Sequence, residues 1–196
     1  MKSVCVYCGS KPGADPRFAA AATSVGNLLA VSGRTLVYGG GRVGLMGNAA
    51  DGSLAAGGRV IGVIPRSLVE KELAHAGLTE LRVVPSMHER KAIMAELSDG
   101  FLVLPGGIGT LEEFFEIWTW AQLGMHAKPI GLLDVAGFYS PMLRFIDQLV
   151  EQKFVRTEHR ELLLVSPDAG DLLTRMASHR SPYVPKWIDD DSAACQ

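Results

Sequence analysis

Cysteine is scarce in this chain. Three residues in 196 are too few for a disulfide framework, and one of them, Cys195, sits in a polar terminal stretch. Cys5 and Cys8 form a lone CxxC, and no second CxxC or histidine pair completes a metal set, so no metal is expected. Three positions apart on an expected strand, the two thiols should face opposite sides of a sheet and be buried. A reducing cytoplasm is the natural setting for such a chain. Long apolar runs are also missing. The opening MKSVCVYCGS has one lysine and an apolar stretch that stops at Gly9, which makes neither a secretory core nor a membrane span. Nor is there an excess of either charge: a net of −2 gives no bulk attraction to nucleic acid or anionic lipid, so neither is expected as a partner. No glycine loop is followed by the Lys-Ser or Lys-Thr of a triphosphate-binding P-loop. What remains is a small ligand, held locally.

Hydrophobic residues make up 47% of the chain, enough for a sizeable core. Short β-rich runs (SVCVYC, TLVYGG, RVIGVIP, LRVVP, FLVLPGG, PIGLLD and LLLVS) alternate with helical patterns at 17–31, 45–56, 87–97, 111–123, 139–152 and 168–177. That alternation predicts parallel strands joined by right-handed crossover helices: an α/β, three-layer Rossmann-like fold whose mainly parallel central sheet is flanked by helices. Residues 1–180 should form one Rossmann-like domain. The segment 181–196, with two prolines and three consecutive aspartates, reads as a C-terminal tail.

Glycines fall where strands end, at Gly9, Gly39 to Gly41, and Gly106 with Gly107. The carboxyl edge of such a sheet is where ligands sit, so three glycine turns there describe a cleft. The first full cluster, YGGGRVGLMG, contains a GxGxxG, but RVIGVIP ends in Pro65 and Arg66 rather than the acid that would bind a dinucleotide ribose. Direct ligand contact and simple tight packing are equally good accounts of those glycines.

The stretch FLVLPGGIGTLEEFFEIW says more. Gly106, Gly107 and Gly109 free main-chain N–H groups to converge on an anion, with Thr110 expected to cap the following helix, whose dipole favours a phosphate. Glu112 and Glu113 follow in the expected first turn. Acids there suit the dipole without any function, and since neighbours diverge by about 100° only one should face a ligand. Glu116 shares the face of Glu113 and is expected to support it. Upstream, His88, Glu89, Arg90 and Lys91 open another helix. Two cations at that end oppose its dipole and call for an anion, or else form an ordinary solvated turn.

Together, SMHERK, PGGIGTLEE, the upstream YGGGRVGLMG and the downstream TWAQLG resemble the Lonely Guy family of cytokinin-activating phosphoribohydrolases, often labelled lysine decarboxylases. The likeness runs from VCVYCGS to GLLDVAGFY and beyond. It implies hydrolysis of an adenosine-type nucleoside 5′-monophosphate, AMP or a prenylated derivative, to free base and ribose 5-phosphate by a homodimer without a cofactor. By the same resemblance Arg90 and Glu113 are catalytic. Substrate contacts carry over to Glu72, Arg90, Lys91, Gly107, Ile108, Gly109, Thr110, Leu111, Glu112, Glu113 and Thr119.

Such chemistry passes through an oxocarbenium-like sugar, which a carboxylate stabilises while it orients water at the anomeric carbon; Glu113 suits that role. The nest from Gly107 to Thr110 would anchor the 5′-phosphate, and Arg90 would clamp phosphate or sugar oxygens. A decarboxylase would instead need a lysine in Schiff base with pyridoxal phosphate, and Lys91 and Lys128 stand in no recognisable context for one. The competing class is a non-catalytic nucleotide-binding module of the same fold, which would gain little from acids beside its phosphate loop. Trp118, Trp120 and Leu123 are expected to serve the core before a dimer surface.

Overall fold

The computed structural model describes residues 1–69 and 74–180, so Glu72 and the 181–196 segment lie outside the described residues. The chain runs β1 (Ser3–Tyr7), α1 (Pro16–Val31), β2 (Thr35–Tyr38), α2 (Gly44–Ala55), β3 (Val60–Pro65), β4 (Glu80–Val84), α3 (Met87–Glu96), β5 (Phe101–Val103), α4 (Ile108–Gln122), β6 (Ile130–Leu133), α5 (Ser140–Glu151), α6 (Thr157–Arg160), β7 (Leu163–Ser166) and α7 (Ala169–Ser178). All seven expected strands form. The four-residue α6 and two single helical turns, at Arg66–Leu68 and Val135–Gly137, are too short to show an apolar period in the sequence.

The strands make one parallel sheet in the order β4-β3-β2-β1-β5-β6-β7. The chain winds outward from β1 to β4, returns through α3 to place β5 on the other side of β1, and winds outward again. Winding therefore reverses beside β1, and a crevice opens there at the carboxyl ends of β1 and β5.

Central strands are apolar on both faces because both faces are covered. Val4, Val6, Leu36, Tyr38, Leu102 and Leu104 pack with α1, α2 and α7 in one core, while Cys5, Tyr7, Val37, Val63, Phe101 and Val103 pack with α3, α4 and α5 in the other. Cys5 and Cys8 fall in opposite cores as free, buried thiols, as the period of two requires. Burial pushes both thiols far above the usual range, which keeps them protonated. Trp118 is likewise core, its indole N–H donating to the His159 carbonyl at 2.9 Å, whereas Leu123 is exposed.

Local sequence sets the helix ends. Asp15 caps α1 by accepting from the Arg17 amide at 2.9 Å, with Pro16 in the first turn. Ser86 caps α3 by accepting from the Glu89 amide at 3.2 Å. Helix α4 differs from expectation. It begins at Ile108, three residues before Leu111, so Thr110 is a buried residue inside the first turn and Gly107 holds the cap position without a side-chain bond. The Thr110 hydroxyl packs where a side chain on Gly106 would stand, 2.2 Å from that Cβ position. Glu112 and Glu113 consequently lie in the second turn, not the first.

Helices α1 and α2 meet backbone to backbone. A Cβ on Gly26 would lie 2.0 Å from the Ala49 carbonyl oxygen, and one on Gly52 would lie 2.4 Å from that of Thr23. Gly26→Ala should therefore overpack this seam and destabilise the fold by about 2 kcal/mol, read as a lower urea midpoint with an unchanged slope.

Candidate active site

A cavity of about 470 Å³ occupies the crevice beside β1, lined by Cys8, Ser10, Lys11, Met46, Arg90, Gly107, Ile108, Gly109, Thr110 and Glu113. Its volume lies in the range of small-molecule sites. Three segments build it: the loop after β1, the first turn of α2, and the β5 loop running into α4, with Arg90 entering from α3. Gly107 to Thr110, the start of α4, line this space, and the first amides of a helix have no partner within it. Tyr139 secures the loop from behind, its hydroxyl donating to the Leu104 carbonyl at 2.6 Å.

Arg90 is no solvated surface cation. It is 6% exposed, with Nε donating to the Val63 carbonyl at 3.2 Å and Nη2 to the Gly39 carbonyl at 3.1 Å. A Cβ on Gly39 would stand 1.9 Å from that Nη2 atom, so the glycine makes room for the guanidinium. This decides the question left open by the first glycine cluster in favour of packing. Gly44, at φ +63°, likewise lets the Ser10–Lys11 backbone approach, and of that cluster's segment only Met46 lines the cavity.

Glu113 faces Arg90 with Oε1 and Nη1 4.0 Å apart, and its side chain is 13% exposed. Glu112, one residue earlier, points elsewhere and is 52% exposed. The divergence of neighbouring helical residues has thus sent one acid to the cavity and the other away from it.

Lys91 binds Glu112 at 2.5 Å and Glu116 at 2.9 Å, joining α3 to α4. Glu116 therefore pairs through Lys91 with Glu112, one full turn away, and does not support Glu113 as expected. Burial alone would pull the Lys91 ammonium down; the hydrogen bonds to Glu112 and Glu116 outweigh it and hold the group above its ordinary value.

Of the residues carried over by resemblance, the cavity gathers Arg90, Gly107, Ile108, Gly109, Thr110 and Glu113. Lys91, Leu111, Glu112 and Thr119 are not among its lining residues. The Thr119 hydroxyl donates to the Phe115 carbonyl of its own helix at 2.7 Å, and His88 is exposed. Ser10, Lys11 and Met46 join the site without having been singled out, and Cys8, expected only as a buried thiol, joins it too. The strand-ending Gly9 marked their neighbourhood, but nothing in the spacing told which side chains turn inward. Among the described residues no cluster of histidine, cysteine, aspartate and glutamate is fit to hold a metal ion, and no helix is long and apolar enough to cross a membrane.

Lys91→Met leaves two carboxylates without their cation. The expected loss is about 2 kcal/mol, below that for a deeply buried charge because water screens Glu112. Since the folded ammonium titrates above the unfolded one, the stabilisation is complete below about pH 10.4 and is lost as pH rises through the folded value. Between neutral and alkaline pH, melting curves should show the gap between wild type and Lys91→Met closing as pH rises through that alkaline end.

Residues 46–176 match the profile of a family described as "Possible lysine decarboxylase". The chain is 45% identical over 191 residues to the cytokinin riboside 5′-monophosphate phosphoribohydrolase LOG of Oryza sativa subsp. japonica, covering 97% of this chain and 79% of that protein. It is 46% identical over 176 residues to LOG4 of Arabidopsis thaliana, a cytokinin riboside 5′-monophosphate phosphoribohydrolase, covering 90% and 82% respectively. Among solved structures, the molybdenum cofactor carrier protein of Chlamydomonas reinhardtii superposes with a TM-score of 0.70 at 21% identity, over 91% of this chain and 99% of that one, a likeness of fold alone. Matched by that family profile over two thirds of its length and 45% identical to the LOG protein over 97% of it, this chain belongs to the Lonely Guy family.

Proposed function

We propose that this protein is a phosphoribohydrolase that cleaves the N-glycosidic bond of a purine nucleoside 5′-monophosphate, AMP or a cytokinin-type derivative, releasing free base and ribose 5-phosphate. The observation that carries this reading is the placement of Glu113 and Arg90 in one cavity with the open amides of α4. The nucleotide's phosphate lies on Gly107, Ile108, Gly109 and Thr110, where main-chain dipoles favour an anion. That anchor sets the ribose against Glu113, whose carboxylate stabilises the positive charge growing on C1′ and orients a water molecule. The water oxygen bonds to C1′, and its proton balances the one taken up by the departing base.

Arg90 fixes the orientation of Glu113 and contacts substrate oxygens at the cavity wall. Lys91, Glu112 and Glu116 act by locking α3 against α4, so the two reacting side chains keep their spacing. Leu111 and Thr119, like Glu72, carry their proposed substrate contacts from the family resemblance. Residues 1–180 act as the catalytic domain and 181–196 as a tail, in a reducing cytoplasm where free Cys5 and Cys8 persist.

A pyridoxal-dependent decarboxylation does not suit the lysines weighed for it. Lys91 is held as an ammonium between two glutamates, and Lys128 Nζ donates to the Ala95 carbonyl at 2.7 Å.

Wild-type protein incubated with AMP should release adenine, detected by chromatography, and Glu113→Gln should slow that release by about 10² to 10⁴-fold while its circular dichroism stays native. Near wild-type release by Glu113→Gln would refute the role of the carboxylate. Nucleotide binding without any release by the wild type would make the protein a binding module.

The family resemblance also favours a homodimer. Ile108 is 87% exposed at the cavity mouth, and Met87 and Phe115 are exposed on α3 and α4. A second copy covering these side chains would remove apolar surface from water beside the site. Light scattering should give twice 21.0 kDa, and Phe115→Asp should shift the particle toward the monomer.

A further inference from the structure

We infer that Lys11, on the loop after β1, supplies the side-chain cation that grips the terminal phosphoryl group, and thereby makes the site select a nucleoside 5′-monophosphate over the bare nucleoside. The inference rests on the reading of this cavity as a nucleotide site and adds to it a residue that the family resemblance does not assign.

The Lys11 backbone is held tightly although its side chain is exposed. The Gly9 amide donates to the Pro105 carbonyl at 3.1 Å, and the Gly9 carbonyl accepts from Leu45 at 2.9 Å and Met46 at 3.3 Å. A Cβ on Gly44 would lie 2.5 Å from the Lys11 nitrogen, and one on Gly9 would lie 3.0 Å from the Lys11 carbonyl oxygen. The loop is thus wedged between the start of α2 and the phosphate-binding turn of α4. Lys11 lines the main cavity together with Gly107, Ile108, Gly109 and Thr110, and with Gly107 it also lines a smaller apolar hollow of about 130 Å³. Its backbone is therefore held at the same lip as the turn that would receive the phosphate, and the exposed side chain rises from that fixed point.

Charge decides what it does there. Of the charged side chains that line the cavity, Arg90 and Glu113 face each other, and the Arg90 guanidinium is engaged by the Val63 and Gly39 carbonyls. Lys11 has no ion pair or hydrogen bond among the described residues. A phosphate monoester brings up to two negative charges, whereas a helix terminus offers the equivalent of about half a positive one. An ammonium held beside that terminus supplies the missing charge as a compact, flexible donor.

The test compares wild type, Lys11→Ala and Lys11→Arg on AMP and on adenosine. A charge-assisted bond of ordinary strength predicts that Lys11→Ala raises KM for AMP and the inhibition constant of ribose 5-phosphate by about tenfold to a hundredfold. The loss should fall on KM rather than kcat, the preference for AMP over adenosine should shrink by the same factor, and Lys11→Arg should recover most of it. Calorimetric binding of ribose 5-phosphate to wild type and Lys11→Ala reads the same contact without turnover. Equal affinity of the two proteins for ribose 5-phosphate, or an unchanged KM for AMP, would overturn the inference and leave Lys11 a solvated surface charge. If the wild type frees no adenine yet binds ribose 5-phosphate more tightly than Lys11→Ala does, the hydrolase reading fails while the phosphate contact stands.

Discussion

Arg90 lies out of water, its guanidinium bonded to carbonyls at the ends of β2 and β3 and facing a carboxylate on α4. A buried cation is tolerable only where its donors are answered, and each partner here comes from a different segment of chain. The Gly39 carbonyl answers one of them, and the same residue, by having no side chain, makes the space the guanidinium fills. The carboxyl edge of the sheet, the start of α3 and the second turn of α4 are thus bound to one another through a single side chain. Moving any of them would strand a charge.

The opposite signs on α3 and α4 divide into a triad and a pair with different surroundings. Lys91 with Glu112 and Glu116 closes the seam between the helices, partly screened by water, and its ammonium is stabilised by two hydrogen bonds. Arg90, one residue before Lys91 on α3, and Glu113, one residue after Glu112 on α4, face each other in the cavity wall at 4.0 Å. One dipeptide, HERK's Arg-Lys, and another, the Glu-Glu of PGGIGTLEE, have each been split between the helix seam and the cavity wall by the 100° turn between neighbours.

Much of this was legible in the sequence. Apolar runs of strand length ending in glycine, separated by helical periods, indicated a parallel sheet covered on both faces, and the period of two put Cys5 and Cys8 in opposite cores. The rule that adjacent helical residues diverge also anticipated that only one of Glu112 and Glu113 would face the cavity. Less was legible at the ends of elements. Thr110 looked like a cap because threonine suits that position, but the helix starts two residues earlier, takes in Gly109 and leaves Gly107 as its cap. Glu116 was matched to Glu113 by spacing along one helix, when the partner that decided its direction, Lys91, stands on another.

The amino-acid sequence alone determined the class of fold, the strand ends at which a ligand would sit, the anion-favouring turn before α4, and the dipeptides that hold the charges, because each depends on local periodicity and on the main-chain freedom of glycine. Tertiary structure decided which cations are buried, that the first glycine cluster serves packing around Arg90, and that Lys11 and Met46 join the cavity wall. Those outcomes depend on distances between segments far apart in the chain, as Arg90 is 27 residues from Val63 and 51 from Gly39, and no local pattern encodes how close such segments come once the sheet has brought them together.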